Sequence, residues 1–293
     1  MRHPIFLLLT FALAAVSCGE KPNGGGKTPD GKESAAWSLP APLVQKVEVS
    51  TDGTVIESYE YTYDDQARLL SLKKTDRLGN AVLLDLQYTY PDGTGMKATG
   101  KFFPITTNRY VSAVKDLSQK TVSYAGSWTG AGAYVTAFDA GGTATGTTLD
   151  AEFAAPKGQY SSRTQYGETY TVSGGCISRS VIGTAVRSQT SQSTSAAAET
   201  ALTVDYSYSD REDRQNFAVY LFPCEFPVWV AAGLPGCKKL VREIKMASGS
   251  VPSPVSTRID YSFRTDGNID TAVRTDLNNG ETVLVRTYKF FYQ

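Results

Sequence analysis

From Leu43 onward, apolar and polar side chains alternate with a period of two. Val82, Leu84, Leu86, Tyr88 and Tyr90 share one face of a run whose other face carries Asp85, Gln87 and Thr89. Val255, Thr257, Ile259, Tyr261 and Phe263 oppose Ser256, Arg258, Asp260, Ser262 and Arg264. Leu202, Val204, Tyr206 and Tyr208 oppose Thr203, Asp205 and Ser207. Alternation of this kind predicts strands with one buried and one wet face, as in antiparallel sheets. Turn signals at Asp52-Gly53, Gly79-Asn80, Asp92-Gly93, Asp266-Gly267-Asn268 and Asn279-Gly280 supply residues that tolerate positive φ. The prediction is an all-β antiparallel meander.

Three stretches depart from the rhythm. The Gly-, Ala- and Thr-rich segment 126–148 predicts weak or bulged strands, for example over Ala133–Ala140. The polar segment Val186–Ala201 has little to bury and reads as a long mobile loop. Asn216–Leu240 concentrates Phe217, Tyr220, Leu221, Phe222, Phe226, Trp229 and Leu234 with three prolines. It reads as a short helix over Asn216–Leu221 followed by an apolar loop. That insertion is expected to cap one end of the core; alternatively, Phe222, Phe226 and Trp229 form a ligand or partner surface.

An aromatic pair two residues apart recurs before turns, as Tyr61-Thr62-Tyr63-Asp64, Tyr88-Thr89-Tyr90-Pro91, Tyr206-Ser207-Tyr208-Ser209 and Tyr261-Ser262-Phe263-Arg264, with Tyr288-Lys289-Phe290 near the C-terminus. Rings at this spacing share a face and pack across strands. Tyr61 to Leu69 resembles the YD repeat of RHS-type proteins, with Ala67 where that repeat has Gly, a change expected to alter the turn. Together with the N-terminal features below and the sequence Gly236-Cys237-Lys238-Lys239-Leu240-Val241 after the insertion, these hairpins resemble a family of Bacteroidetes-type lipoproteins of unknown function. The resemblance implies a strongly curved or barrel-like sheet and brings no catalytic residues with it.

The N-terminus supplies an address. Arg2 and His3 precede an apolar run from Ile5 to Ala14, and Ala15-Val16-Ser17-Cys18 closes it. The run is about a dozen residues long, too short for a spanning helix. It reads as a lipoprotein signal over 1–17, with Cys18 as the lipidated residue. Gly19 after it favours outer-membrane attachment, on the periplasmic or the cell-surface face. Residues 18–42, with Gly24-Gly25-Gly26, read as the lipidated Cys and a flexible tether reaching roughly 25–30 Å. A single β domain is expected over 43–293, including the insertion. The membrane is thus a partner through the lipid.

Composition narrows the chemistry. Of 29 Lys and Arg, cleavage before Cys18 removes Arg2 and leaves 28 against 29 acidic residues. Such a balance lacks the basic face that nucleic acid requires. The same cleavage removes His3, the one histidine, and with it Ser-His-Asp and Cys-His mechanisms and imidazole metal sites. No metal, cofactor or catalytic residue is expected. Cys224 and Cys237 flank the apolar insertion and either pair, contributing roughly 3 kcal/mol, or remain buried thiols. Cys176 is expected to stay unpaired. Asp64-Asp65, Asp210–Asp213 and the faintly calcium-loop-like Asp276–Glu281 read as solvated turn residues. The leading functional expectation is a non-catalytic binding or scaffolding module for a glycan or an envelope protein. A carboxylate-based glycosidase and a carrier of a lipid-like ligand are the alternatives.

Overall fold

The computed structural model describes residues 38–39, 41–91, 95–102, 105–116, 118–126, 133–138, 144–154, 160–190, 198–213, 220, 239–248 and 251–293. The strands are β1 Val44–Thr51, β2 Thr54–Tyr63, β3 Leu69–Asp76, β4 Ala81–Thr89, β5 Gly95–Phe102, β6 Ile105–Asp116, β7 Thr121–Gly126 and β8 Ala133–Phe138. They continue as β9 Ala144–Ala154, β10 Tyr160–Ser173, β11 Cys176–Thr190, β12 Ala198–Glu212, β13 Lys239–Ser248, β14 Val251–Phe263, β15 Ile269–Asn278 and β16 Glu281–Tyr292. Every strand pairs antiparallel with its sequence neighbours, and β16 returns to β1, closing a sixteen-stranded barrel. Closure removes both sheet edges.

In an up-and-down barrel, odd strands begin and even strands end at one rim. Val44 and Tyr292 lie there, so we call it the terminal rim. It also carries the turns 64–68 and 264–268, while the hairpins around Asp52-Gly53 and Asn279-Gly280 lie at the far rim. Ser38 and Leu39 dock at the terminal rim. The Leu39 N–H donates to the Ala67 carbonyl at 2.9 Å and the Ser38 hydroxyl to that of Gln66 at 2.6 Å.

The expected inward faces of β12 and β14 hold: Val204, Tyr206, Thr257 and Ile259 are buried, with Leu202, Tyr208, Val255, Tyr261 and Phe263 packed against the core. On β4 the face is corrected at one position. Lys74 opposes Leu84 but Thr75 opposes Val82, so a bulge skips Leu83 and turns Val82 out to 46% exposure.

The loop expected over Val186–Ala201 is corrected too. Val186 pairs with Ala198, Ala185 with Glu199 and Thr184 with Thr200, so β11 and β12 run through most of it. A ladder is made of backbone groups, and long neighbouring strands extend it without apolar side chains to bury. The segment 126–148 does carry a short strand, the six-residue β8, and the start of the eleven-residue β9.

The turns 64–68 and 264–268 share one hydrogen-bond pattern. The Asp64 N–H donates to the Arg68 carbonyl (3.0 Å) and the Ala67 N–H to that of Asp64 (3.1 Å); Arg264 to Asn268 (2.7 Å) and Gly267 to Arg264 (3.0 Å) repeat it. Ala67 takes φ +59 where Gly267 takes +86, so the turn keeps its shape despite the alanine. Asp64 fixes it from within. Its Oδ1 accepts the Gln66 and Arg68 N–H groups, both at 2.9 Å, and its Oδ2 the Arg68 Nε at 2.7 Å. Burial alone would raise this carboxyl, but those three donors outweigh it and hold it below the usual carboxylate range. Its contribution is therefore present above the unfolded value near ~4 and lost as pH falls through the folded value. Asp64→Asn is expected to cost about 1–2 kcal/mol at neutral pH. Urea unfolding at neutral and at acid pH checks it: the gap to the parent protein should narrow as the carboxyl protonates.

Candidate functional site

The barrel interior is layered from the terminal rim upward, and the layers follow from inward parity on each strand. At the rim itself, bulges recur where odd strands begin. They skip Gln45 against β16, Leu70 against β2, Ser178 against β10, Arg242 against β12 and Asp270 against β14, each next to a buried residue, Val44, Leu69, Ile177, Val241 or Ile269. A bulge takes a residue out of its ladder, and a buried carbonyl without a donor is costly. In all five cases a tyrosine hydroxyl from the other side donates to the carbonyl of the buried residue beside the bulge. Tyr63 reaches Val44 at 2.6 Å, Tyr90 reaches Leu69 at 2.8 Å, and Tyr208, Tyr261 and Tyr292 reach Ile177, Val241 and Ile269 at 2.7 Å. Burial pushes the Tyr63, Tyr90, Tyr261 and Tyr292 hydroxyls up, so they stay protonated donors at any ordinary pH.

Above and among these latches lies an aromatic floor of Tyr61, Tyr88, Tyr206, Tyr288 and Phe290 with Leu72, Leu86 and Ile259, all buried. A barrel of sixteen strands is wide enough to leave an aqueous channel. Here buried aromatic side chains line the terminal end instead, and Tyr220 packs among them. Tyr220, 1% exposed, stands edge-on to Tyr61 with ring centroids 5.3 Å apart. Its hydroxyl is 3.4 Å from that of Tyr63, and burial pushes it up to about 12.

One step further toward the far rim the inward residues become charged. Glu57 pairs with Lys74 at 2.9 Å, and Arg274 with Asp276 at 2.9 Å. The Thr257 hydroxyl donates to Asp276 at 2.7 Å. Burial disfavours the Arg274 charge, but Tyr288 and Asp276 outweigh it and raise its pKa further. Arg286 lies directly opposite Arg274. These ion-paired side chains keep 14–24% of their surface in solvent, against 3% for Tyr288 and 0% for Ala272 just below. On these strands the inward face is therefore partly solvated at the charged step and dry beneath it.

The outer wall mixes charged side chains with exposed apolar ones such as Val82, Tyr110, Val114, Val181 and Val283. Lys46, Glu60, Lys73, Asp85 and Lys101 lie opposite one another in turn across β1 to β5, forming a belt of alternating charge. Arg179 pairs with Asp205 at 2.6 Å on β11 and β12, and Lys245, Arg258, Asp260 and Lys289 are exposed mid-strand. A bulge at Arg242 opens a shallow wall pocket of about 420 Å³ lined by Ser207, Tyr208, Arg242, Glu243, Arg258 and Asp260. Its two carboxylates sit among two guanidinium groups, and Glu243 also pairs with Lys245 at 3.0 Å.

The site residues expected from sequence, namely Cys18, Cys224, Cys237, Phe222, Phe226 and Trp229, lie outside the described residues, as does the helix expected over Asn216–Leu221 except for Tyr220. The expectation for Cys176 is corrected. It is buried at the start of β11 and disulfide-bonded, to a partner outside the described residues. A thiol in a secreted-type chain has other cysteines to find, and sequence alone does not choose among them. Asp276 is corrected as well. It is an inward strand residue engaged by Arg274 and Thr257, while Asn279 and Gly280 make the turn with φ of 53° and 82°. No group of three or more metal-binding side chains occurs among the described residues. The charged layer itself went unread, although its signal was present. Continuing the inward parity past Tyr59, Leu72 and Tyr288 lands on Glu57, Lys74 and Arg286.

The fold is thus a closed antiparallel barrel with an aromatic floor, a charged step above it and charged side chains on the outer wall. No family model and no curated protein matches the chain. Among solved structures it is similar to a porin-like protein from Bacteroides vulgatus, with TM-score 0.51 and 12% identity over 86% of this chain and 99% of that one. A porin-like protein from Bacteroides uniformis gives 11% identity over 87% of this chain and 99% of that one, with TM-score 0.35. What the first of these shares with the chain is a fold.

Proposed function

We propose that this chain is an outer-membrane-anchored lipoprotein whose barrel stands in water as a cup-shaped, non-catalytic binding or scaffolding module. In this reading the lipid on Cys18 is the mooring, and the resemblance of the hairpins to those of YD-repeat lipoproteins supports it. The observation that carries the reading is the belt Lys46–Glu60–Lys73–Asp85–Lys101 on the outer wall. Each Lys facing the middle of a bilayer costs about 2–4 kcal/mol, so this wall suits water. A pore, the role suggested by the names of the similar structures, is disfavoured by the same belt and by the aromatic floor. Ser38 and Leu39 dock at the closed end. The tether therefore leaves from the floor, and the open mouth faces away from the membrane.

The test is release. With a site-specific protease sequence placed between Gly26 and Pro29 of the native lipoprotein, cleavage on isolated membranes should free a folded barrel that stays in solution without detergent. Persistence of the cleaved barrel in the membrane pellet would sink the reading and restore the pore.

A further inference from the structure

We propose that the charged step of the lumen is a receptor for a small oxyanion, a carboxylate or phosphate group seated on Arg286. The inference rests on the cup reading above and names its ligand class. Arg274 and Arg286 face each other across β15 and β16, an arrangement in which like charges repel. Arg274 is compensated, since its Nε donates to Asp276. Arg286 is not. Its Nε is buried with no hydrogen-bond partner, and it forms no ion pair with any described residue. Its other flank is β1. Val49 opposes Tyr288 and Ser50 opposes Thr287, so alternation sets Thr51 inward beside Arg286. The Thr51 Oγ1 is likewise buried with no partner.

Two buried donors thus lie side by side on β1 and β16 at the level of the charged residues, and what they lack is an acceptor carrying negative charge. The remaining charges close by are already engaged, Glu57 with Lys74 and Asp276 with Arg274 and Thr257. An oxyanion supplies what is missing. Two of its oxygens match the planar fork of a guanidinium, and one accepts the Thr51 hydroxyl proton. A neutral sugar hydroxyl would accept these bonds and leave the charge uncompensated.

The experiment is thermal unfolding of the purified full-length lipoprotein in sodium phosphate or sodium acetate, against sodium chloride at equal ionic strength. A saturable rise in melting temperature with phosphate or acetate is expected. Arg286→Gln should weaken the apparent affinity at least ~10-fold. Arg179→Gln, the same charge change on the outer wall, should leave it intact. Thr51→Val, nearly isosteric, keeps the guanidinium and should weaken binding less, which guards against a poorly folding Arg286 variant. No saturable shift in the parent protein, or a shift that Arg286→Gln retains or Arg179→Gln abolishes, overturns the assignment. If the barrel is released intact by tether cleavage but ignores oxyanions, the cup stands and the oxyanion receptor falls. If release fails, the cup itself falls.

Discussion

Phenylalanine at positions 63, 90, 208, 261 and 292 together should remove most of the stability of this barrel while leaving its apolar packing nearly unchanged. Each hydroxyl is the donor to a carbonyl at a bulged strand start. The acceptor residues are buried, with Val44, Leu69 and Ile177 at 0% exposure. Removing the donor leaves a buried acceptor unsatisfied at about 1–2 kcal/mol each. The latches lie on five different strands, so their costs should add approximately. The sum, about 5–10 kcal/mol, is comparable to the whole stability of a typical domain. Urea unfolding reads the effect, with Tyr110→Phe on the exposed outer face as a control expected within ~0.5 kcal/mol. If the fivefold variant unfolds at the parent's midpoint, the latches are ornaments of the bulges rather than their support.

The latches show what sequence reading could and could not reach. Strands, turns and the recurrence of paired aromatics were legible, because period two and Asp-Gly or Asn-Gly turns are local signals. The pairing of Tyr61 and Tyr63 was read as ring packing, and Tyr61 does pack. The task of Tyr63 depends on a bulge between β1 and β16, strands at opposite ends of the chain, which no local pattern contains. Val82 failed for the same reason, one skipped residue at Leu83. Arg286 sits mid-strand, away from the conspicuous charges at turns such as Asp64-Asp65. A charge on the buried parity of a strand was the stronger signal, since burying it without a partner is what requires explanation.

The closed floor and the open mouth are two consequences of one alternation. Inward residues are aromatic for the first steps from the terminal rim, as in Tyr63, Tyr61 and Tyr59 along β2, and then become charged at Glu57. On β16 the sequence Tyr292, Phe290, Tyr288 and Arg286 repeats the order. A floor built this way from strands alone still surrounds the axis of a wide barrel. The insertion between β12 and β13 supplies a ring that the strands do not.

Tyr220→Ala should therefore cost about 3–5 kcal/mol, as expected for deleting a fully buried aromatic side chain. The ring is 1% exposed and stands edge-on to Tyr61, itself 2% exposed. Its removal opens a cavity against the floor that neighbouring strands cannot close, because their spacing is fixed by the ladder. Tyr220→Phe separates ring from hydroxyl. The hydroxyl meets that of Tyr63 at 3.4 Å, at the long end for a hydrogen bond, and also bonds the Val44 backbone, so this variant should lose about 1–2 kcal/mol. Every latch is intact in both variants, which keeps the floor's contribution distinct from that of the bulges. Denaturant unfolding of the two proteins decides it. Equal stability of Tyr220→Ala and the parent would mean that the Tyr220 ring adds nothing to the floor, and that the terminal end is held by the strands alone.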